Sequence, residues 1–258
     1  MYSTEVFTSL SILLFLGMLG CIEIGRHIGK RWRASEGDAA VSGTGGIEGA
    51  VLALLGLLLA FTFNGASARF DARRALIIEE TNDIGTAWLR LDLLASDAQP
   101  ALRQLFRDYV DARLAAYRSV NEPAASSAAL ARATELQGEI WKKAVAASAR
   151  ASSPQAAMLL LPALNAMIDI TTTRTASTEM HPPGVVFAML YAVALVSSLL
   201  SGFAMSATRA RNWLHMLGFT LAMATAFYVI IDMEYPRIGR IRVDAFDRYL
   251  VQVRDSMK

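Results

Sequence analysis

One cysteine and three histidines are all that this 258-residue chain holds of the residues that build disulfides and zinc sites. Cys21 has no second thiol to pair with, so no internal disulfide forms, and cysteine usage leaves the compartment open. His27, His181 and His215 stand apart, with none of the spacings that metal ligands use. Blocks of basic charge are missing as well. The formal net charge is +2, and no Lys/Arg run stands in a soluble region, which argues against nucleic acid as a partner. Catalytic motifs are absent in the same way. "GTGGIEG", starting at Gly43, lacks the glycine spacing of a dinucleotide loop and the Lys-Ser/Thr of a P-loop, and no strand precedes it. It reads as a connector. With no nucleophile elbow and no carboxylate pair in an arguable pocket, no catalytic, cofactor-binding or metal site is expected.

Over long stretches the chain also lacks charge. Val6 to Ile22 carries none, nor does Gly49 to Ala68. Met180 to Thr208 and Asn212 to Ile231 are uncharged with their histidines neutral. A spanning helix needs about 20 apolar residues, with about 17 as a lower limit. Four spans are therefore expected, in a chain that is 54% hydrophobic. The first reads as a retained helix rather than a signal peptide, because "MYSTEVF" has no basic n-region and no small-residue cleavage site precedes Arg26.

Between the second and third spans lie about 110 residues without a transmembrane signal. Phe70, Ile77, Ile84 and Leu91 recur every seven residues, with Thr81 and Trp88 between them, which predicts a helix packed in a bundle. "SDAQP" breaks it near Pro100. Leu102, Leu105, Phe106, Tyr109, Arg113, Ala116, Tyr117 and Val120 trace a second helical face. "NEPAASS" is a loop, a third helix is expected over Ala128 to Arg150, and a fourth from Pro154 to about Thr178. No strand alternation and no internal repeat is present. The expected fold is an all-α integral membrane protein. Its parts are a transmembrane hairpin over 1–68, a helical bundle over 69–180, a second hairpin over 181–235 and a tail over 236–258 that packs on the bundle.

The second span carries the functional signal. Ala53, Leu57 and Phe61 share one helix face. One reading is packing through the small residues Gly49, Ala53, Gly56 and Ala60; another is an apolar constriction that gates a pore by dewetting. Spacing alone favours packing. Asn64 is the first polar position on that face beyond these residues, and Arg69, Arg73 and Arg74 follow it. Arginines there serve as interface anchors, or, repeated around an axis, as rings of charge that attract anions. Glu23 reads as a boundary residue paired within its own helix to Arg26 or His27. Asp169 and Arg174 are expected on polar faces of the bundle.

Phe61, Asn64, Arg69 and Phe70, in "FTFNGASARFDARRALIIEETNDIG", resemble the pore-helix pattern of the bacterial bestrophins, pentameric anion channels. "DMEYPRIG", from Asp232 to Gly239, resembles the acidic-Pro-Gly segment that follows their last span. "EIGRHIGKR", "LNAMIDITTTR" and "DMEYPRIGRIRV" also resemble the bestrophin-like domain family of bacterial membrane proteins. The resemblance implies a homo-oligomer, a pentamer, with the bilayer, further copies and small inorganic anions as partners. Ala53, Leu57, Phe61 and Asn64 would line the pore, and Arg69 and Arg73 would attract the anions. Against the family pattern, Phe70-Asp71 replaces an aromatic pair and Ala53 is small for a constriction. Asp232 and Glu234 alone supply too few oxygens for calcium.

Charge near the span ends orients the chain weakly. Arg26, Lys30, Arg31, Arg33, Arg209 and Arg211 lie on one side. Arg69, Arg73, Arg74, Arg174, Arg237, Arg240, Arg242 and Arg248 lie on the other. The positive-inside rule then favours a cytoplasmic bundle and cytoplasmic termini, as does the resemblance, which also implies a bacterial inner membrane. Two other functions compete. A membrane-anchored sensor or scaffold needs no pore. A proton-driven stator needs titratable groups deep in the third and fourth spans, where only His181 and His215 stand, near the ends.

Overall fold

A computed structural model describes residues 4–36, 45–151, 153–208 and 210–258. Gly43 of the glycine-rich connector and Arg209 lie outside the described residues. Eight α-helices run among those described: α1 Thr4–Glu36, α2 Gly45–Arg90, α3 Gln99–Arg118, α4 Pro123–Ser148, α5 Pro154–Glu179, α6 Gly184–Ala204, α7 Trp213–Glu234 and α8 Asp247–Ser256. No strand occurs among the described residues, and four segments are long and apolar enough to cross a membrane. The all-α expectation with four spans therefore holds. Two compact units divide the chain, one of 1–68 with 181–235 and one of 69–180 with 236–258.

In the first unit α1 packs along α6 and α7. Glycine sets how closely. A Cβ on Gly202 of α6 would overlap the carbonyl of Ile22, one on Gly25 would overlap that of Leu199, and one on Gly29 would overlap Ser206. Gly25 and Gly29, four apart, are the small-xxx-small spacing that lets two backbones approach in lipid. Trp32 meets Phe203 edge-on, with ring centroids 6.0 Å apart. Glu23 does not pair within its helix. Its carboxylate meets Arg211 at 3.1 Å, beyond α6 in sequence, while His27 Nδ1 lies 2.7 Å from the Glu23 carbonyl oxygen.

In the second unit one apolar core is shared by Ile84 and Trp88 of α2, Leu91 in the 3-10 turn that follows it, Phe106 and Tyr109 of α3, Leu136 and Ile140 of α4, Leu164 and Met167 of α5, and Leu250 of α8. Pro123 opens α4 at its first turn, five residues before the expected start, because proline's fixed φ suits that position. Ser153 accepts the Gln155 backbone N–H at the start of α5, an N-cap with Pro154 behind it. The amphipathic α8 follows "DMEYPRIGRIRV" and is tied to α3 by two Arg254–Asp111 hydrogen bonds of 2.8 Å each.

The core of this unit also holds charge. Glu80 of α2 is fully buried and accepts from Arg113 Nε at 2.7 Å, from Arg174, and from the Tyr117 hydroxyl at 3.0 Å. Arg174, expected on a polar face, is instead buried against this carboxylate. Asp169 is exposed, as expected. The Tyr117 ring is flanked by the guanidinium groups of Arg174 at 4.2 Å, Arg237 at 4.5 Å and Arg113 at 5.0 Å. Arg237 in turn donates to both Asp247 oxygens at 2.9 Å.

Candidate functional site

Three features of the sequence make α2 a single helix of 46 residues. No proline interrupts it, alanine and leucine are frequent, and after Glu48 in the first turn no charge appears until Arg69. At 1.5 Å per residue it is about 70 Å long. Its two long faces are distinct. Leu59, Ala66, Arg73, Glu80 and Ala87, seven apart, are all buried. On the other side Leu57, Asn64, Asp71 and Ile78, also seven apart, are all exposed, and so are Phe61, Ala68, Ala75, Asn82 and Leu89. As far as Asn82 this exposed series alternates steps of four and three, and Leu89 follows after seven, which keeps residues on one side of a helix.

The structure brings Ala53, Leu57, Phe61 and Asn64 together on that exposed face. Phe61 is 67% exposed and Leu57 52%, values of a surface that the rest of the chain leaves uncovered. Only 11% of the apolar window of α2 is buried, against 28% for α1 and 33% for α7. Large apolar residues facing outward suit lipid or another copy of the chain, whereas water would penalise them.

Arg73 is placed elsewhere. Nine residues from Asn64, or two and a half turns, it lies on the buried face. Its Nε donates to the Ser177 carbonyl and its Nη2 to the Met180 carbonyl, each at 3.0 Å. Those carbonyls end α5, where a cation meets the negative end of the helix dipole. The guanidinium of Arg73, expected to attract anions, is thus directed at the end of α5. Arg69 is half-buried and stands off the stripe on which Ala53 to Asn64 lie. The charged residue nearest Asn64 on the exposed face is Asp71, seven residues on. Its side chain is 62% exposed, and Arg74 Nη1 meets it at 2.9 Å. Arg74 itself lies over Phe246 at 4.4 Å, on the flank of the helix.

The acidic segment that starts in the last turn of α7 begins in the first unit. Asp232 and Glu234 are both buried. Glu234 Oε2 lies 3.5 Å from His181 Nδ1, and the His181 ring stacks on Tyr235 at 4.5 Å, with Phe7 on Tyr235 at 5.1 Å. The sequence singles out Asp232, Glu234 and His181 one by one without joining them, and nothing in it points to Glu80. The pairs of Glu80 span 33 and 94 residues, beyond the reach of local periodicity. The turn count that sets Arg73 apart from Asn64 was available.

Neither a curated protein nor a solved structure matches this chain. One family model does, that of the Bestrophin-like domain, over residues 13–245. The match takes in all of α2 through α7, so it covers the exposed stripe, Glu80 and the acidic end of α7 alike. With four apolar segments of spanning length and a family match across most of its length, the chain is a membrane protein that belongs to the bestrophin-like domain family.

Proposed function

We propose that several copies of this chain form an ion channel, with the exposed face of α2 around a central axis. The observation that carries this reading is the stripe from Ala53 through Leu57 and Phe61 to Asn64, apolar and then polar, uncovered within one chain. Around an axis, Leu57 and Phe61 supply an apolar constriction of the kind that gates by dewetting. Asn64 supplies the first hydrogen-bonding ring beyond it. Five copies is the number that the bestrophin resemblance implies. The orientation that agrees with the positive-inside count puts the second unit and both termini in the cytoplasm, at a bacterial inner membrane.

Anion selectivity was expected from Arg69 and Arg73. With Arg73 committed to the end of α5, support for that expectation falls to Arg69, which stands off the stripe. The permeant species are therefore proposed as small inorganic ions, with anions as the selectivity inferred from sequence. Purified protein in a planar bilayer tests the reading, with Phe61→Ala beside the wild type. Phe61→Ala is expected to raise conductance or open probability several-fold, as loss of an apolar ring lowers a dewetting barrier. Equal currents from both would remove Phe61 from the constriction. No current from wild-type protein shown to be inserted and folded would favour the sensor or scaffold.

A further inference from the structure

Two buried polar side chains stand at one end of the first unit without a partner. Arg26 of α1 is 2% exposed, and Ser206, in the 3-10 turn after α6, is 6% exposed. Among the described residues Arg26 makes no hydrogen bond or ion pair, and the Ser206 hydroxyl has no hydrogen-bond partner. The two share a face of α1. Ile22, Arg26 and Gly29 follow one another at steps of four and three, all buried, and at Gly29 the helix meets Ser206, whose hydroxyl a Cβ there would overlap. Gly29 is three residues from Arg26, about 4.5 Å of helix rise, a distance that an arginine side chain spans. A buried guanidinium without a counter-charge is costly, and the acid one turn away does not serve. The Glu23 carboxylate is held by Arg211, at 3.1 Å from Nε and 3.2 Å from Nη2. Lys30, exposed one turn beyond Arg26, adds positive charge.

We infer that Arg26 and Ser206 hold the headgroup phosphate of an anionic phospholipid. The guanidinium supplies charged N–H donors and the serine a hydroxyl donor, a pairing that the two free oxygens of a phosphate diester accept. The place suits a lipid. Arg26 stands one turn beyond the charge-free run that ends at Ile22, where a spanning helix passes the headgroups. Trp32 and Trp213, 50% and 52% exposed, bring amphipathic rings to the same end, as residues of a membrane interface do. Glu23 and Arg211 cancel, so Arg26 and Lys30 leave an excess of positive charge that favours a lipid of negative net charge. The site lies within the first unit and needs no pore.

Native mass spectrometry tests the site on full-length protein, delipidated in mild detergent and titrated with dioleoylphosphatidylglycerol or dioleoylphosphatidylcholine. Wild-type protein should bind phosphatidylglycerol about tenfold more tightly than phosphatidylcholine. Arg26→Gln should weaken phosphatidylglycerol binding about tenfold, the scale of one hydrogen bond between charged groups, and Arg26→Lys should recover part of it. Ser206→Ala should weaken it about threefold. In lipid-free detergent the same variant should melt no lower than the wild type, because the lost hydroxyl has no partner there. Wild-type affinity for phosphatidylglycerol in both Arg26→Gln and Ser206→Ala would overturn the site, and Ser206→Ala alone decides if Arg26→Gln does not fold. Equal affinity of wild-type protein for the two lipids would overturn the anionic preference. Inorganic phosphate that displaces phosphatidylglycerol at equal concentration would overturn the lipid assignment in favour of a soluble phosphate.

Discussion

Glu80 is the residue on which the second unit turns. Burial pushes its carboxyl up, but the Arg174 and Arg113 guanidinium groups and their hydrogen bonds outweigh that and hold it below its ordinary value of 4.5. Burial of its own hydroxyl, and after that the Glu80 carboxylate, push Tyr117 well above its usual range, so it stays a donor. A carboxylate whose folded value is depressed contributes stability that is present above the unfolded value and is lost as the pH falls through the folded one. Wild-type protein should therefore lose thermal stability as the pH drops below about 4.5, and Glu80→Gln should lose less over that interval. At neutral pH Glu80→Ala leaves two buried guanidinium groups without their carboxylate and should cost about 3–5 kcal/mol. Melting of the detergent-solubilised chain, followed by circular dichroism, reads both outcomes. A Glu80→Ala protein as stable as wild type would mean the cluster contributes nothing net.

Helix contacts make a separate prediction. Because a Cβ on Gly202 overlaps the Ile22 carbonyl, Gly202→Ala must push the α1 and α6 backbones apart, at a cost of about 1–3 kcal/mol. Gly218 of α7 has open space where its Cβ would go, so Gly218→Ala in the same membrane unit is the control and should melt with the wild type. A Gly202→Ala variant as stable as that control would show that the two helices separate without penalty. Elements of this kind were the legible part of the fold. Charge-free runs delimit spans because lipid tolerates no charge, and the seven-residue series Ile77, Ile84 and Leu91 does fall in the core. Arg73 was judged by charge alone, yet its place is fixed by helical phase. Arg174 pairs with a residue 94 positions away, and no local pattern records such a partner. Helix α8 was not foreseen, since only ten residues carry it.

At the level of the whole molecule, the uncovered face of α2 bears on assembly. A chain of 28.0 kDa that closes a ring through this face should run in mild detergent at a multiple of that mass, five being the number the family resemblance implies. Light scattering with detergent correction checks it, and a monomer would argue against a closed ring. Leu89, 68% exposed near the far end of the same stripe, offers a lever: Leu89→Glu should shift the mass toward monomer while leaving the helix content unchanged. The shared seven-residue spacing of the two faces also carries a consequence for sequence change. One residue inserted between Asn64 and Arg73 would turn everything before it by about 100° relative to everything after. Phe61 and Glu80 would then no longer lie on opposite sides, although each keeps its neighbours. Insertions of seven restore the phase. The length of this helix is therefore counted in heptads, and a lineage that lengthens it should do so two turns at a time.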